Sequence, residues 1–257
     1  MHGSLTLSIG TLLGFLLVLA RVSGALAFVP MPGVSAAPGP VKIVFALAVT
    51  FTLFSQWPKI DASTVTASTL AAWAAADATV GIAIGVSAVI VMEAFTLAAQ
   101  VLGLQAGYAY AQTVDPNTQA DSGILLVLAQ LVGGMLFFAV GLDRQILRLF
   151  ALSLERIPAG TYIFGRASAE TLIQLASNLF SVGVRLALPV VALLVMVDVA
   201  LALLGRLNSQ LQLLSLAFPA KMLIALLVLS WIAVLFPRIL RELAAQSWAG
   251  TARMLGI

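Results

Sequence analysis

Long apolar stretches separated by short, breaker-rich joints run along this chain from residue 5 to residue 236. Six of them approach or exceed the roughly 20 residues that a helix needs to cross a bilayer at about 1.5 Å per residue. They are Leu5 to Ala20, Val41 to Trp57, Thr79 to Leu102, Ile124 to Leu142, Leu186 to Leu204 and Leu211 to Phe236. The pattern predicts an all-α fold of about six long apolar helices arranged as kinked hairpins, in a single domain spanning residues 1–257. Because the first two are short and the last is long, tilt, kinks or helices partly outside lipid are expected rather than six uniform spans.

The joints carry the usual helix breakers: Pro30-Met31-Pro32-Gly33 with Pro38-Gly39-Pro40, Trp57-Pro58, Asp115-Pro116-Asn117, Ile157-Pro158-Ala159-Gly160 and Phe236-Pro237. Pro189 and Pro219 instead lie inside apolar runs, where each removes a backbone donor and should kink its helix. Glycines recur four apart at Gly10/Gly14, Gly81/Gly85 and Gly103/Gly107, a spacing that lets helix backbones approach closely in ordinary membrane packing.

Composition strengthens the membrane reading. Hydrophobic residues make up 61% of the chain and charged ones 9%, against roughly a quarter charged in an ordinary soluble domain. The net charge of +3 comes from few charges altogether and fits loops beside a membrane better than a nucleic-acid surface. Leu5 to Ala20 followed by Ala25-Leu26-Ala27 resembles a signal-peptide core. No Lys or Arg precedes it, however, and Arg21 interrupts the approach to the small-residue site, so the stretch is read as the first helix. Lys59, Arg144, Arg148, Arg156, Arg166, Arg238, Arg241 and Arg253 fall in segments 58–78, 143–171 and 237–257, while the alternate loops hold Arg21, Lys42 and Arg206. That bias predicts cytoplasmic termini.

Chemistry is sparse. There is no cysteine, the one histidine is His2, and no Gly-x-Ser-x-Gly elbow, His-Glu-x-x-His or phosphate-cradling glycine loop occurs. The expectation is a protein without catalytic residues, cofactor or metal. Ionisable residues in apolar surroundings remain: Glu93, Arg185, Asp198 and Lys221. A charge in lipid costs at least about 2.5–3.5 kcal/mol, so each should face protein or water and find a partner. Asp198 and Lys221 fall on consecutive helices and could pair across a hairpin. Two readings stand: a structural pair or subunit interface, or a proton or ion relay of a small-molecule transporter.

The polar island from Gln105 to Ser122 is more informative. It contains Gly107, Tyr108, Tyr110, Gln112, Asp115, Pro116, Asn117 and Asp121 and is too polar to cross lipid. It is either a plain exposed turn or a re-entrant element, the latter tolerated at membrane depth only where protein encloses it or where it lines an aqueous cavity.

At this island the sequence resembles the flagellar biosynthetic protein FliR family, the R subunit of the type III export gate, related to the T-type injectisome protein. The family's Gln-Met-Gly, then several small or aromatic residues, then Asp-Pro, reads here as Gln105-Ala106-Gly107 through Asp115-Pro116. Asp77 with Gly81 and Gly85, Ser153 to Gly160, Leu188-Pro189-Val190, Asp198, Gly205-Arg206 with Gln210, and Phe218-Pro219-Ala220-Lys221 continue the pattern in order. The segment after Arg206 lacks the family's Pro before Gln and has Gln212 where Asn is usual.

The resemblance implies a non-enzymatic subunit of a gate in the bacterial inner membrane, at the flagellar basal body. Its implied partners are P-type and Q-type subunits, larger export-apparatus membrane proteins, membrane lipid and unfolded export substrates, with no nucleic acid. It further implies that Gln105 to Ser122 plugs the closed pore. Glu93, Arg185, Asp198, Arg206 and Lys221 then become candidate assembly contacts, with helices packed as much against other subunits as against lipid.

Overall fold

The computed structural model describes residues 8–30, 37–61, 65–107, 124–207 and 213–257. Among them the chain is helical throughout: α1 (Ile9–Leu26), α2 (Gly39–Thr52), α3 (Ala67–Ala106), α4 (Ile124–Ala139), α5 (Leu142–Arg156), α6 (Arg166–Leu207), α7 (Leu213–Ile232) and α8 (Phe236–Leu255). Each of the six apolar stretches has its described part largely in a helix, but the helices do not stop where the apolar runs do. α3 has 40 residues and α6 has 42. At about 1.5 Å per residue each is about 60 Å long, twice the hydrocarbon thickness of about 30 Å. The added lengths are an alanine-rich stretch before Thr79 and a more polar stretch from Arg166 to Arg185. Both inner prolines, Pro189 in α6 and Pro219 in α7, lie inside helices.

The second stretch ends early. α2 has 14 residues, about 21 Å of helix, too short to span lipid by itself. The chain then turns through a short 3-10 segment, Phe54–Gln56. Trp57 swings back so that its indole nitrogen donates to the Thr50 carbonyl at 3.0 Å, with Phe15 tilted against its ring and Phe54 edge-on to it at centroid distances of 5.1 and 4.8 Å. The fourth stretch divides at Gly141, whose φ of +76° puts it in the left-handed region that glycine adopts at little cost. α5 beyond it is amphipathic, burying Leu142, Ile146, Leu149, Phe150 and Ser153, and carries Asp143 in its first turn and Arg156 in its last, as the helix dipole favours. Among the described residues four helices are long and apolar enough to cross a membrane, or five if α4 with α5 counts as one broken span.

The chain forms two compact units. One comprises residues 1–90, 141–175 and 244–257, and the other residues 91–140 and 176–243. In the first, α1 and α3 meet backbone to backbone. A Cβ at Gly85 would stand 2.5 Å from the Ala25 carbonyl oxygen, and one at Gly81 would overlap the Arg21 carbonyl. Gly10 and Gly14 are pressed in the same way against Ile60 and Pro58, whereas a Cβ at Gly103 would meet nothing closer than Leu125 at 4.0 Å. Gly85→Leu is therefore expected to destabilise the first unit by about 3 kcal/mol or more, since backbone cannot yield as a side chain can; unchanged thermal stability of the purified protein would show that α1 can move aside. α8 closes this unit through a buried hydroxyl ladder, in which Ser247 donates to the Ser87 carbonyl at 2.9 Å and Thr251 to the Ser87 hydroxyl at 2.5 Å.

The second unit has its own core. Ala98, Leu102 and Ala106 of α3 pack with Leu125 of α4, Ala187, Val190 and Leu194 of α6, and Ala225 of α7.

Candidate functional site

In the second unit three polar side chains from three helices converge. Lys221 of α7 donates to both carboxylate oxygens of Asp198 in α6, at 2.8 Å to Oδ1 and 2.9 Å to Oδ2. Gln105, in the last turn of α3, donates from Nε2 to Asp198 Oδ2 at 3.2 Å. Helical spacing explains the convergence. Leu194 lies one turn before Asp198, Ala225 lies one turn after Lys221, and Ala106 is the neighbour of Gln105; these three are fully buried together in the core. The polar triad therefore sits directly on top of that apolar core. The Lys221 side chain is 12% exposed and that of Asp198 43%. Two residues beyond Gln105, Gly107 ends α3 with a φ of +84°.

The structure thus joins the Asp198–Lys221 pair expected from the sequence and adds Gln105 to it. The remaining candidates fall differently. Tyr108, Tyr110, Gln112, Asp115, Pro116, Asn117 and Asp121 lie outside the described residues. Glu93 on α3 and Arg185 and Arg206 on α6 are exposed on this chain. Apolar residues surround them in sequence, yet in space they stand on outward faces, available to something outside the chain.

A second charged cluster, in the first unit, escaped the sequence reading. Arg21 of α1 is 1% exposed and Asp77 of α3 is 2% exposed. Arg21 Nε donates to Asp77 Oδ1 at 2.9 Å and its Nη2 pairs with the same oxygen. Nη1 donates to the Ser153 hydroxyl at 3.2 Å and Nη2 to the Ile157 carbonyl at 3.3 Å, which brings in α5 and the turn after it. Asp77 Oδ2 has no hydrogen-bond partner among the described residues. Arg21 stood out in the sequence only as an interruption of an apolar run and Asp77 only as part of a motif. An opposite pair of charges, each at the edge of such a run, was the signal available.

The second unit also holds an apolar cavity of about 240 Å³, walled by Phe95, Leu102, Leu125, Leu186, Val190 and Phe236. Among the described residues its one polar lining residue, Ser230, already donates its hydroxyl to the Leu227 carbonyl at 2.9 Å. Such a space can accept an apolar group and offers nothing to react with one.

Comparison with known proteins gives this arrangement its context. The family model described as bacterial export proteins, family 1, matches residues 12–247, nearly the whole chain. The flagellar biosynthetic protein FliR of Escherichia coli is 27% identical over 222 residues, covering 86% of this chain and 83% of that protein. FliR of Caulobacter vibrioides is 27% identical over 236 residues, covering 88% and 92%, and FliR of Bacillus subtilis 25% over 218 residues, covering 84% of each. With the match running from inside α1 to inside α8 and taking in both charged clusters, the chain belongs to the bacterial export proteins, family 1.

Proposed function

We propose that this protein is a structural and gating subunit of the flagellar type III export apparatus, a multi-pass protein of the bacterial inner membrane at the flagellar basal body. The observation that carries the reading is the family match over residues 12–247, together with similarity along more than four-fifths of the length of proteins named for flagellar biosynthesis in Escherichia, Caulobacter and Bacillus. In this role the chain works as one domain without catalytic chemistry, joins P-type and Q-type subunits and larger membrane proteins of the apparatus, and lets unfolded substrates pass. The outward apolar side chains of α6 and α7 support such an assembly. Leu188, Met196, Val199, Leu203, Leu223 and Leu227 are each more than half exposed, a surface suited to partner helices and lipid. The exposed charges Glu93, Arg185 and Arg206 would then be met by neighbouring subunits.

In the same reading the segment from Gln105 to Ser122 plugs the closed gate. Two measurements test the proposal. Co-expression with P-type and Q-type subunits should yield a stable complex; a chain that stays alone, stable and monodisperse would overturn the assembly role. Deleting Tyr108 to Ser122 from this chain should make the assembled gate conduct ions across a planar bilayer, and a gate that stays tight would overturn the plug.

A further inference from the structure

The first unit carries a basic surface that neither charged cluster uses. Arg144 and Arg148 stand one turn apart on the exposed face of α5, and neither makes an ion pair among the described residues. Like charges at this spacing repel and mildly destabilise the helix. The acids of α5 do not relieve them. Asp143 turns its Oδ1 into the interior, and Glu155, two turns beyond Arg148 on the same face, accepts from Gln56 Nε2 at 3.3 Å. Leu147 is exposed beside the arginines, Arg156 adds an exposed cation in the last turn, and the opposite face of the helix is buried. The Gln56–Glu155 contact joins this face to the aromatic turn after α2. Phe51 and Phe54 are each more than half exposed and both lie against the Trp57 ring, with Lys59 exposed two residues further on. Arg148 is about 10 Å from Glu155 along the helix, so the cations and the outward rings share one patch.

We propose that α5 and the turn from Phe51 to Lys59 form a docking surface for anionic phospholipid headgroups, in which Arg144 and Arg148 take the phosphates while Phe51 and Phe54 rest in the apolar layer beneath them. A guanidinium matches phosphate oxygens with paired N–H donors, which suits arginine to this contact. An acidic protein would also match the arginines, but it would leave the outward phenyl rings beside them without a role. The boundary of a bilayer, charged at the headgroups and apolar just below, matches both. The chain also arrives at this surface from an apolar helix, since α5 begins three residues after α4 ends. The charge bias along the sequence assigns segments 58–78 and 143–171 to one side. The Gln56–Glu155 bond brings the turn that leads into the first beside the helix that opens the second.

The chain purified in a neutral detergent should retain phosphatidylglycerol over phosphatidylcholine in native mass spectrometry, and added salt should weaken that preference. R144Q/R148Q should lower the apparent affinity for phosphatidylglycerol about thirtyfold, at about fivefold for each arginine near an anionic surface, and leave that for phosphatidylcholine unchanged. Because both arginines are exposed and unpaired, this variant should unfold at the parent's midpoint. Phe54→Ser should weaken both lipids alike, by about tenfold. A parent without preference for phosphatidylglycerol, or an R144Q/R148Q variant that keeps it, overturns the lipid surface. Unchanged lipid binding by Phe54→Ser overturns the seating of the rings, and with it the reason for choosing a bilayer over an acidic protein. If the preference is absent and R144Q/R148Q instead lowers the yield of the complex co-expressed with P-type and Q-type subunits, the arginines serve a protein partner and the proposal fails. The lipid measurement needs the purified chain alone, so its outcome is separate from that of the gate role.

Discussion

Replacing Arg21 with alanine is expected to cost the first unit about 3–5 kcal/mol, because Asp77 would be left buried without a counter-charge. The guanidinium is the hub of its cluster, reaching the Asp77 carboxylate, the Ser153 hydroxyl and the Ile157 carbonyl. Arg21→Lys should recover only part of the loss, since an ammonium is a point donor and cannot spread over three acceptors as the planar fork does. The double variant R21L/D77L should recover most of it, because an apolar pair of similar volume removes both desolvation costs together. Unfolding of the purified protein by a denaturing detergent reads all three. Should Arg21→Ala unfold at the parent's midpoint, the ion pair contributes nothing to this packing, and Ser153 and Ile157 must be reassigned as incidental neighbours.

Gly160→Ala carries the next largest expected effect, and its cost has two separable parts. The backbone at Gly160 has a φ of +74°, a region that costs an L-residue about 1–2 kcal/mol. A Cβ there would also overlap the Trp73 indole, and overpacking of this kind adds about 1–3 kcal/mol. In a Trp73→Ala background the second part disappears, so Gly160→Ala should then cost only about 1–2 kcal/mol. Equal costs in both backgrounds would mean that the indole swings aside freely and that backbone conformation alone selects glycine here. The wedge explains physically why a Pro-x-Gly closes the Ser153-to-Gly160 motif. The turn must reverse the chain against a large ring, and the same stretch supplies Ser153 and Ile157 to Arg21.

Much of the architecture was legible in the apolar pattern, because long oil-rich segments have no other way to satisfy their backbone than as helices. The pattern misled where helix and hydrophobicity part company. Residues 67–78 are rich in alanine, the strongest helix former but a weak hydrophobe, so the first part of α3 is helical without reading as a span. The start of α6 is polar yet continues without a break into the apolar stretch. Val41 to Trp57 reads as one segment because aromatic residues continue its oiliness, but Trp57 uses its indole to cap the turn rather than to prolong the helix. Of the charges, the Asp198–Lys221 pairing followed from two opposite signs on neighbouring helices. The Arg21–Asp77 pairing is harder to read from the chain, since 56 residues separate the partners and no hairpin links them. Exposure of Glu93, Arg185 and Arg206 could not be read from neighbours in sequence, because around a helix adjacent residues point some 100° apart.

The buried arginine also imposes an order on biogenesis. Arg21 emerges from the ribosome 56 residues before Asp77 and 132 before Ser153. At roughly 5–20 residues per second, its first partner follows about 3–11 s later. During that interval α1 carries an unpaired cation, which costs too much to sink to the middle of a bilayer, so its arginine stays drawn toward the headgroups. α1 therefore settles only when α3 arrives to neutralise it, so a helix made earlier waits for one made later.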